Sequence, residues 1–249
     1  MTTTTTKLSV NLNKIALLRN SRGYGIPDVI TAAHTCIDAG AQGITVHPRP
    51  DERHITSADV YELARILQEY PEIEFNIEGN PFEGRFMDLV SHAKPTQATL
   101  VPDSPAQATS DHGWKMIADR HRLKPITSAL KAQDIRVSLF MDPDVEQVKH
   151  VPETGADRIE LYTESYATAF RAGHPESIIE RYIHTATVAE DLGLGLNAGH
   201  DLNVHNLQFF CQHVPSILEV SIGHELIAEA IWQGLAQTVK AYLNVLRMA

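Results

Sequence analysis

The stretch "GITVHPRPDERHI", residues 43–55, decides the fold. Gly43 through Val46 make a short apolar and β-branched run that reads as a buried strand. The chain then delivers His47, Arg49, Arg53 and His54 within eight residues, stiffened by Pro48 and Pro50. Seven further β-rich runs occur on either side of it: "LSVNLN" from Leu8, "EFNIEG" from Glu74, "QATLVP" from Gln97, "RVSLFMD" from Arg136, "RIELYT" from Arg158, "GLGLNAGH" from Gly193 and "LEVSIGH" from Leu218. Their starts span 210 residues in seven steps, a mean of 30, which is the length of one βα unit.

Helix-period segments such as "PDVITAAHTCIDAGA", "SADVYELARILQEY" and "ESIIERYIHTATVAEDLG" lie between these runs. Pro27, Ser57 and Asp59 give start signals, and Gly40, Gly155 and Gly193 give stops. Eight βα units in a row predict a (βα)8 TIM barrel, since an open sheet of eight would need helices on two faces and a topological switch. The stretch from Ser104 to Lys131 exceeds one helix and is expected to hold an extra turn or helix. No Pro/Gly/Ser linker interrupts the alternation. Residues 8–249 are therefore expected to form one barrel domain with extra helical segments, after a flexible tail over residues 1–7.

Composition narrows the partners. A formal charge of −10 argues against nucleic acid and anionic membranes, which call for basic surface. The charge is uneven, however: six Lys/Arg against four Asp/Glu through His54 leave +2 there and −12 in the rest. A local cationic site in an acidic chain suggests a small anionic ligand. Cys36 and Cys211 have no CxxC or metal-ligand spacing and read as reduced core thiols. No apolar run is long enough to span a bilayer, and "MTTTTTKLSV" lacks the apolar core of a signal peptide, so a cytoplasmic location is expected.

In a TIM barrel the active site lies at the C-terminal ends of the strands. The eight runs end in, or lead at once into, Asn11 to Lys14, His47, Glu78, Asp103, Asp142, Glu160, Asn197 to Asp201, and Gly223-His224. Arg49 can fork onto a phosphate, or it can pair with Asp51 or Glu52 in a solvated loop. Arg19 and Arg22 precede Gly23 and Gly25 in a basic loop suited to closing over an anion, although arginines beside glycines are common. The Gly-His pairs 199–200 and 223–224 follow strands seven and eight, where phosphate-binding barrels build their anion site; the bland alternative is chain turns and helix caps. Glu78 and Glu160, if they face the barrel mouth, have raised pKa values fit for proton transfer. His47, His54, His200 and His224 with these glutamates could instead ligate a metal, although no HxH or HExxH pattern is present.

"VNLNKIALLRNSRG", "GITVHPRPDERHI", "FNIEG", "LVPD" with Thr109 following, "RIELYT", "GLGLNAGHDL" and "SIGH" together resemble the pyridoxine 5′-phosphate synthase family of the deoxyxylulose-dependent vitamin B6 pathway. The resemblance runs in order from about Leu8 to the C-terminal helix. It implies condensation of 1-deoxy-D-xylulose 5-phosphate with 3-amino-2-oxopropyl phosphate to pyridoxine 5′-phosphate, inorganic phosphate and water. No cofactor and no metal are implied. By motif, His47 and Glu78 correspond to proton acceptors, His200 to a proton donor and Glu160 to a transition-state stabiliser. Arg49, His54 and Thr109 match positions for the deoxyxylulose phosphate, Asn11, Arg22, Gly223 and His224 match those for the amino-ketone phosphate, and Asn13, Lys14 and Asp201 stand at further substrate-binding positions.

Two departures stand out. Many family members carry Asp-His where this chain has Asn13-Lys14, and a second Gly where it has Asp201. A carboxylate beside a phosphate is repulsive unless only its backbone N–H faces the ligand. A homo-octamer is also implied by the resemblance, with the segment bearing Arg22 reaching a neighbour's site. Two other classes remain open on the residues alone: a non-catalytic barrel that binds a sugar phosphate, and a metal-dependent isomerase or aldolase.

Overall fold

In the computed structural model, which describes residues 6–249, eight parallel strands close into a barrel in sequence order. They are β1 (Lys7–Asn11), β2 (Gly43–Val46), β3 (Glu74–Gly79), β4 (Gln97–Leu100), β5 (Arg136–Met141), β6 (Arg158–Tyr162), β7 (Gly195–His200) and β8 (Ile217–Ile222). Each falls within one of the runs read from the sequence, give or take a residue or two. The expected tail lies outside the described residues through residue 5. Thr6 already donates to the carbonyl of Ile217 (2.9 Å), and Lys7 opens β1.

The strands alternate apolar and polar residues, and the two sets go to different places. Leu8, Val10, Ile44, Val46, Ile77 and Leu139 are buried outward against the helices, which is where most of the hydrophobic stabilisation resides. The other set points into the barrel, where it is bonded across as well as between strands. Ser9 and Thr45 share a hydrogen bond of 2.7 Å, Thr99 donates to Asn76 (3.0 Å), and Asn197 reaches from β7 to Gln97 on β4 (3.5 Å). At the N-terminal end of the barrel, Glu74 takes both Lys7 (2.5 Å) and Arg136, while Arg158 donates to Asn197 (3.1 Å). Barrel interiors are more often filled by branched apolar residues. Here the filling is polar, and most inward residues of neighbouring strands satisfy one another, the buried Ser138 hydroxyl on β5 being an exception.

Two helices that the sequence signals mark start on side-chain caps one residue from those signals. Asp28, not Pro27, caps the helix Val29–Asp38 by accepting from the Thr31 N–H (2.7 Å). Thr56 and Asp59 form a reciprocal capping box on Ser57–Ile66. The stretch from Ser104 to Lys131 holds an irregular segment with one turn, followed by a single helix Met116–Lys131, rather than an additional helix. Extra helices occur elsewhere, at Asn13–Asn20 and Leu235–Arg247. Among the described residues no helix is long and apolar enough to cross a membrane.

Candidate active site at the carboxyl end of the barrel

The first half of the site is built by β1 to β4. The Asn13 N–H donates to the Asn11 side chain (3.0 Å), and the Asn13 carboxamide accepts the backbone N–H of His47 (2.8 Å). Two asparagines thus fix the point at which β2 releases the buried His47. Its ring lies between two carboxyl groups, with Nδ1 3.7 Å from Glu78 Oε2 and Nε2 4.0 Å from Asp103 Oδ2. Asn11 Nδ2 donates to the same Glu78 oxygen (3.3 Å). Arg49 does not pair with Asp51 or Glu52; its Nη2 meets Asp103 Oδ2 at 2.7 Å, both groups being buried. Ser110 donates to that oxygen as well (2.5 Å). The His54 ring stands edge-on to His47 at 6.4 Å, and its Nδ1 accepts the Ile55 N–H (2.9 Å).

Burial shifts these groups away from their charged forms. Desolvation, then the nearby Arg49 and His54, hold His47 well below the usual imidazole range. His54 is lowered to about 4 by burial, then by Arg49 and Lys14. Glu78 is pushed up to about 8 by burial and by Asp103. Glu160 is raised well above the carboxylate range by burial, Glu78 and Glu219. Burial thus favours the neutral forms of the two histidines and of the Glu78 and Glu160 carboxyls. Without substrate, His47 is ready to accept a proton, whereas Glu78 must give one up before it can accept.

The second half is centred on His200 at the end of β7. Its Nδ1 lies 2.8 Å from Asp201 Oδ2 and its Nε2 3.0 Å from the Thr109 hydroxyl, while Tyr162 and Phe140 wall the ring at centroid distances of 5.2 and 6.5 Å. His200 has φ +92°, a conformation an L side chain rarely adopts. Gly199 is required by close approach: a Cβ there would lie 2.4 Å from Glu160 Oε1. Gly223 is similarly close-packed, since a Cβ would come 3.1 Å from that of Asn11.

Most of the residues singled out in the sequence thus converge on one mouth. Arg22 and His224 do not join the cluster. Both are exposed, Arg22 stacking over Tyr24 at 5.5 Å and His224 opening the helix His224–Gln233. The reading of Arg19 as part of a mobile basic loop is corrected: it lies in the helix Asn13–Asn20, ion-paired with Asp59 and donating to the His54 carbonyl (3.2 Å). Arg53 pairs with Asp51 (2.9 Å) and donates to the carbonyls of Pro105 (2.6 Å) and Gln107 (2.9 Å), pinning the segment that carries Thr109. Asp103, Glu219, Phe140 and Tyr162 were given no role from the sequence. The period-two polar alternation within the strands would have pointed Glu219, Phe140 and Tyr162 inward.

Buried polar atoms nearly always have partners. Among the described residues seven buried side-chain atoms have none: Arg49 Nε, Asp103 Oδ1 and Glu160 Oε2 belong to this mouth, whereas Thr127 Oγ1, Ser138 Oγ, Glu229 Oε2 and Tyr242 OH lie outside it. No group of three or more His, Cys, Asp and Glu side chains among the described residues is arranged to hold a metal ion.

The barrel resembles solved structures of other proteins. 3-Keto-L-gulonate-6-phosphate decarboxylase from Vibrio cholerae superposes with a TM-score of 0.66 at 10% identity, over 98% of either chain. Phosphoribosyl anthranilate isomerase from Thermotoga maritima gives 0.58 at 13% identity, over 98% of this chain and 100% of that one. At such identities the likeness concerns fold alone. Sequence relatives are much nearer. Pyridoxine 5′-phosphate synthase of Albidiferax ferrireducens is 54% identical over 96% of this chain and 97% of its own. The protein of the same name from Christiangramia forsetii is 50% identical over 97% of this chain and 100% of its own. Residues 8–248 match the family described as pyridoxal phosphate biosynthesis protein PdxJ, and with this match, relatives at half identity and a closed eight-stranded barrel, the chain belongs to that family.

Proposed function

We propose that the chain is a pyridoxine 5′-phosphate synthase that condenses 1-deoxy-D-xylulose 5-phosphate with 3-amino-2-oxopropyl phosphate, releasing inorganic phosphate and water. The observation that carries the reading is that three of the seven unpartnered buried atoms, Arg49 Nε, Asp103 Oδ1 and Glu160 Oε2, all on ionisable groups, gather at the one mouth where a phosphorylated sugar would supply partners.

The substrate amine itself forms the imine with the ketone, so no enzyme lysine need act as nucleophile. What remains is loss of water, enolisation, loss of phosphate and ring closure, each moving protons at different atoms. His47, neutral and buried, takes a proton from the substrate. Glu78 exchanges a proton with the reacting chain at 3.7 Å from His47, first as acid and then as acceptor. His200 stands across the mouth as the proton donor, and the protonated Glu160 beneath it donates a hydrogen bond to developing negative charge. Arg49, His54, Thr109, Asn13 and Lys14 hold the deoxyxylulose phosphate, with Asn13 acting through the His47 backbone. Asn11 and the Gly223 turn hold the amino-ketone phosphate, and Arg22 and His224, exposed in one chain, complete the site in an octamer of a cytoplasmic enzyme.

The test is direct. Chelator-treated protein mixed with both substrates yields pyridoxine 5′-phosphate and phosphate, followed by chromatography with fluorescence. Protein that binds either phosphate without forming product is a binding barrel instead, and product that appears only on adding a divalent metal points to metal-dependent chemistry.

A further inference from the structure

We propose that Asp201 is the positioning residue of the proton donor: it holds His200 with a proton on Nδ1, so that Nε2 is the nitrogen that delivers a proton to substrate. The inference rests on the reading of His200 as donor. Sequence comparison alone leaves Asp201 awkward, because its carboxylate follows a Gly-His pair expected to lie near a phosphate.

The geometry resolves the difficulty. The Asp201 carboxylate is engaged by its neighbour: its Oδ2 sits 2.8 Å from His200 Nδ1. An ionised carboxylate only accepts hydrogen bonds, so Nδ1 must carry the proton of that contact. The opposite nitrogen, Nε2, faces the Thr109 hydroxyl at 3.0 Å on the side of the mouth. Two aromatic rings restrict the imidazole plane, Tyr162 meeting it edge-on at 89°. The backbone contributes as well. His200 is held at φ +92°, a strained conformation that persists where surrounding contacts over-determine it. Here those contacts are the ones that aim the ring.

The proton inventory follows. With a proton fixed on Nδ1, His200 gains a second on Nε2 to become imidazolium, and the carboxylate beside it offsets that charge. Donation breaks the Nε2–H bond, passes the proton to the substrate oxygen and leaves the neutral Nδ1–H tautomer. Asp201 keeps its negative charge throughout. This chain thus orients its donor with a carboxylate one residue along, where many relatives carry glycine.

Two measurements test this. Neutron diffraction from deuterated crystals of the full chain should place a deuteron on His200 Nδ1 in the contact to Asp201; a bare Nδ1 there overturns the proposal, whatever the activity of the enzyme. In steady-state kinetics Asp201→Gly should lower kcat roughly 10- to 100-fold, a share of what a general acid contributes, with KM for each substrate within about twofold. Asp201→Glu should recover part of the loss. Unchanged kcat with tighter binding of the amino-ketone phosphate would show instead that the carboxylate merely repels phosphate. If Asp201→Gly melts early, Asp201→Asn, which keeps the side-chain volume, gives the same reading.

Discussion

The two ends of the barrel interior use the same residue types to opposite effect. At the N-terminal end Glu74 is shared by Lys7 and Arg136, and Arg136 donates also to Gln97 (2.8 Å). Each charge is matched by a neighbour one or two strands away. At the C-terminal end Arg49 and Asp103 pair with one another, yet each keeps a buried atom without a partner, and so does Glu160. Satisfied polar groups rigidify a core; unsatisfied ones cost free energy unless something arrives to complete them. Polarity alone therefore does not mark the active end. The mark is that three ionisable groups at one mouth are left incomplete together; the other unpartnered atoms, on Thr127, Ser138, Glu229 and Tyr242, lie outside it.

This contrast can be broken by substitution. The largest effect belongs to the mouth: His47→Asn and Glu78→Gln should each lower kcat by at least about 10²-fold, the usual contribution of an acid–base group, while both variants still fold. A collapsed fold in either variant would place these residues in the core rather than the site. Gly199→Ala should follow, since its methyl would sit 2.4 Å from Glu160 Oε1 and displace that carboxyl; we expect a loss of about 10-fold or more in kcat. Activity equal to the parent would mean Glu160 is not held in place for the reaction.

The N-terminal end should behave the other way. Arg136→Met leaves Glu74 with Lys7 alone and should destabilise by about 3 kcal/mol, read in urea unfolding, with kcat per folded molecule unchanged. A fall in kcat at full folding would join the two ends into one functional unit. The smallest expected effect is a pH slope. Glu78 is raised from 4.5 to about 8 by folding. Between those values the folded chain keeps a proton that the unfolded chain has released, so stability falls as pH rises. Glu78→Gln removes that contribution, and its melting temperature should gain about 5 °C on the parent between pH 5 and pH 8. A constant difference would show that Glu78 ionises freely in the fold.

The architecture was legible because each strand is short, apolar on one side and followed at once by polar residues. Eight such runs at one βα spacing admit few alternatives. His47, Glu78, Glu160 and His200 were legible for the same reason, standing at or near strand ends. Asp103 was visible as a strand-end residue, but its partnership with Arg49 was not, because the two lie 54 positions apart in numbering and meet only through the pairing of β2, β3 and β4. The arginines were hardest to sort. Arg19, Arg49 and Arg53 look alike in sequence, yet Arg19 braces a helix, Arg53 pins a loop and only Arg49 enters the buried cluster. Side-chain reach and the direction of each turn separate them, and neither is encoded in a local pattern. Asp201 looked like a departure and is instead bonded to its neighbour His200.

The most direct test of the contrast is the crystal structure of the complex with 1-deoxy-D-xylulose 5-phosphate. We predict a ligand oxygen at about 3 Å from Arg49 Nε, and ligand hydroxyl groups facing Asp103 and Glu160, with the N-terminal network unchanged. A ligand bound elsewhere, leaving Arg49 Nε, Asp103 Oδ1 and Glu160 Oε2 still without partners, would contradict the account.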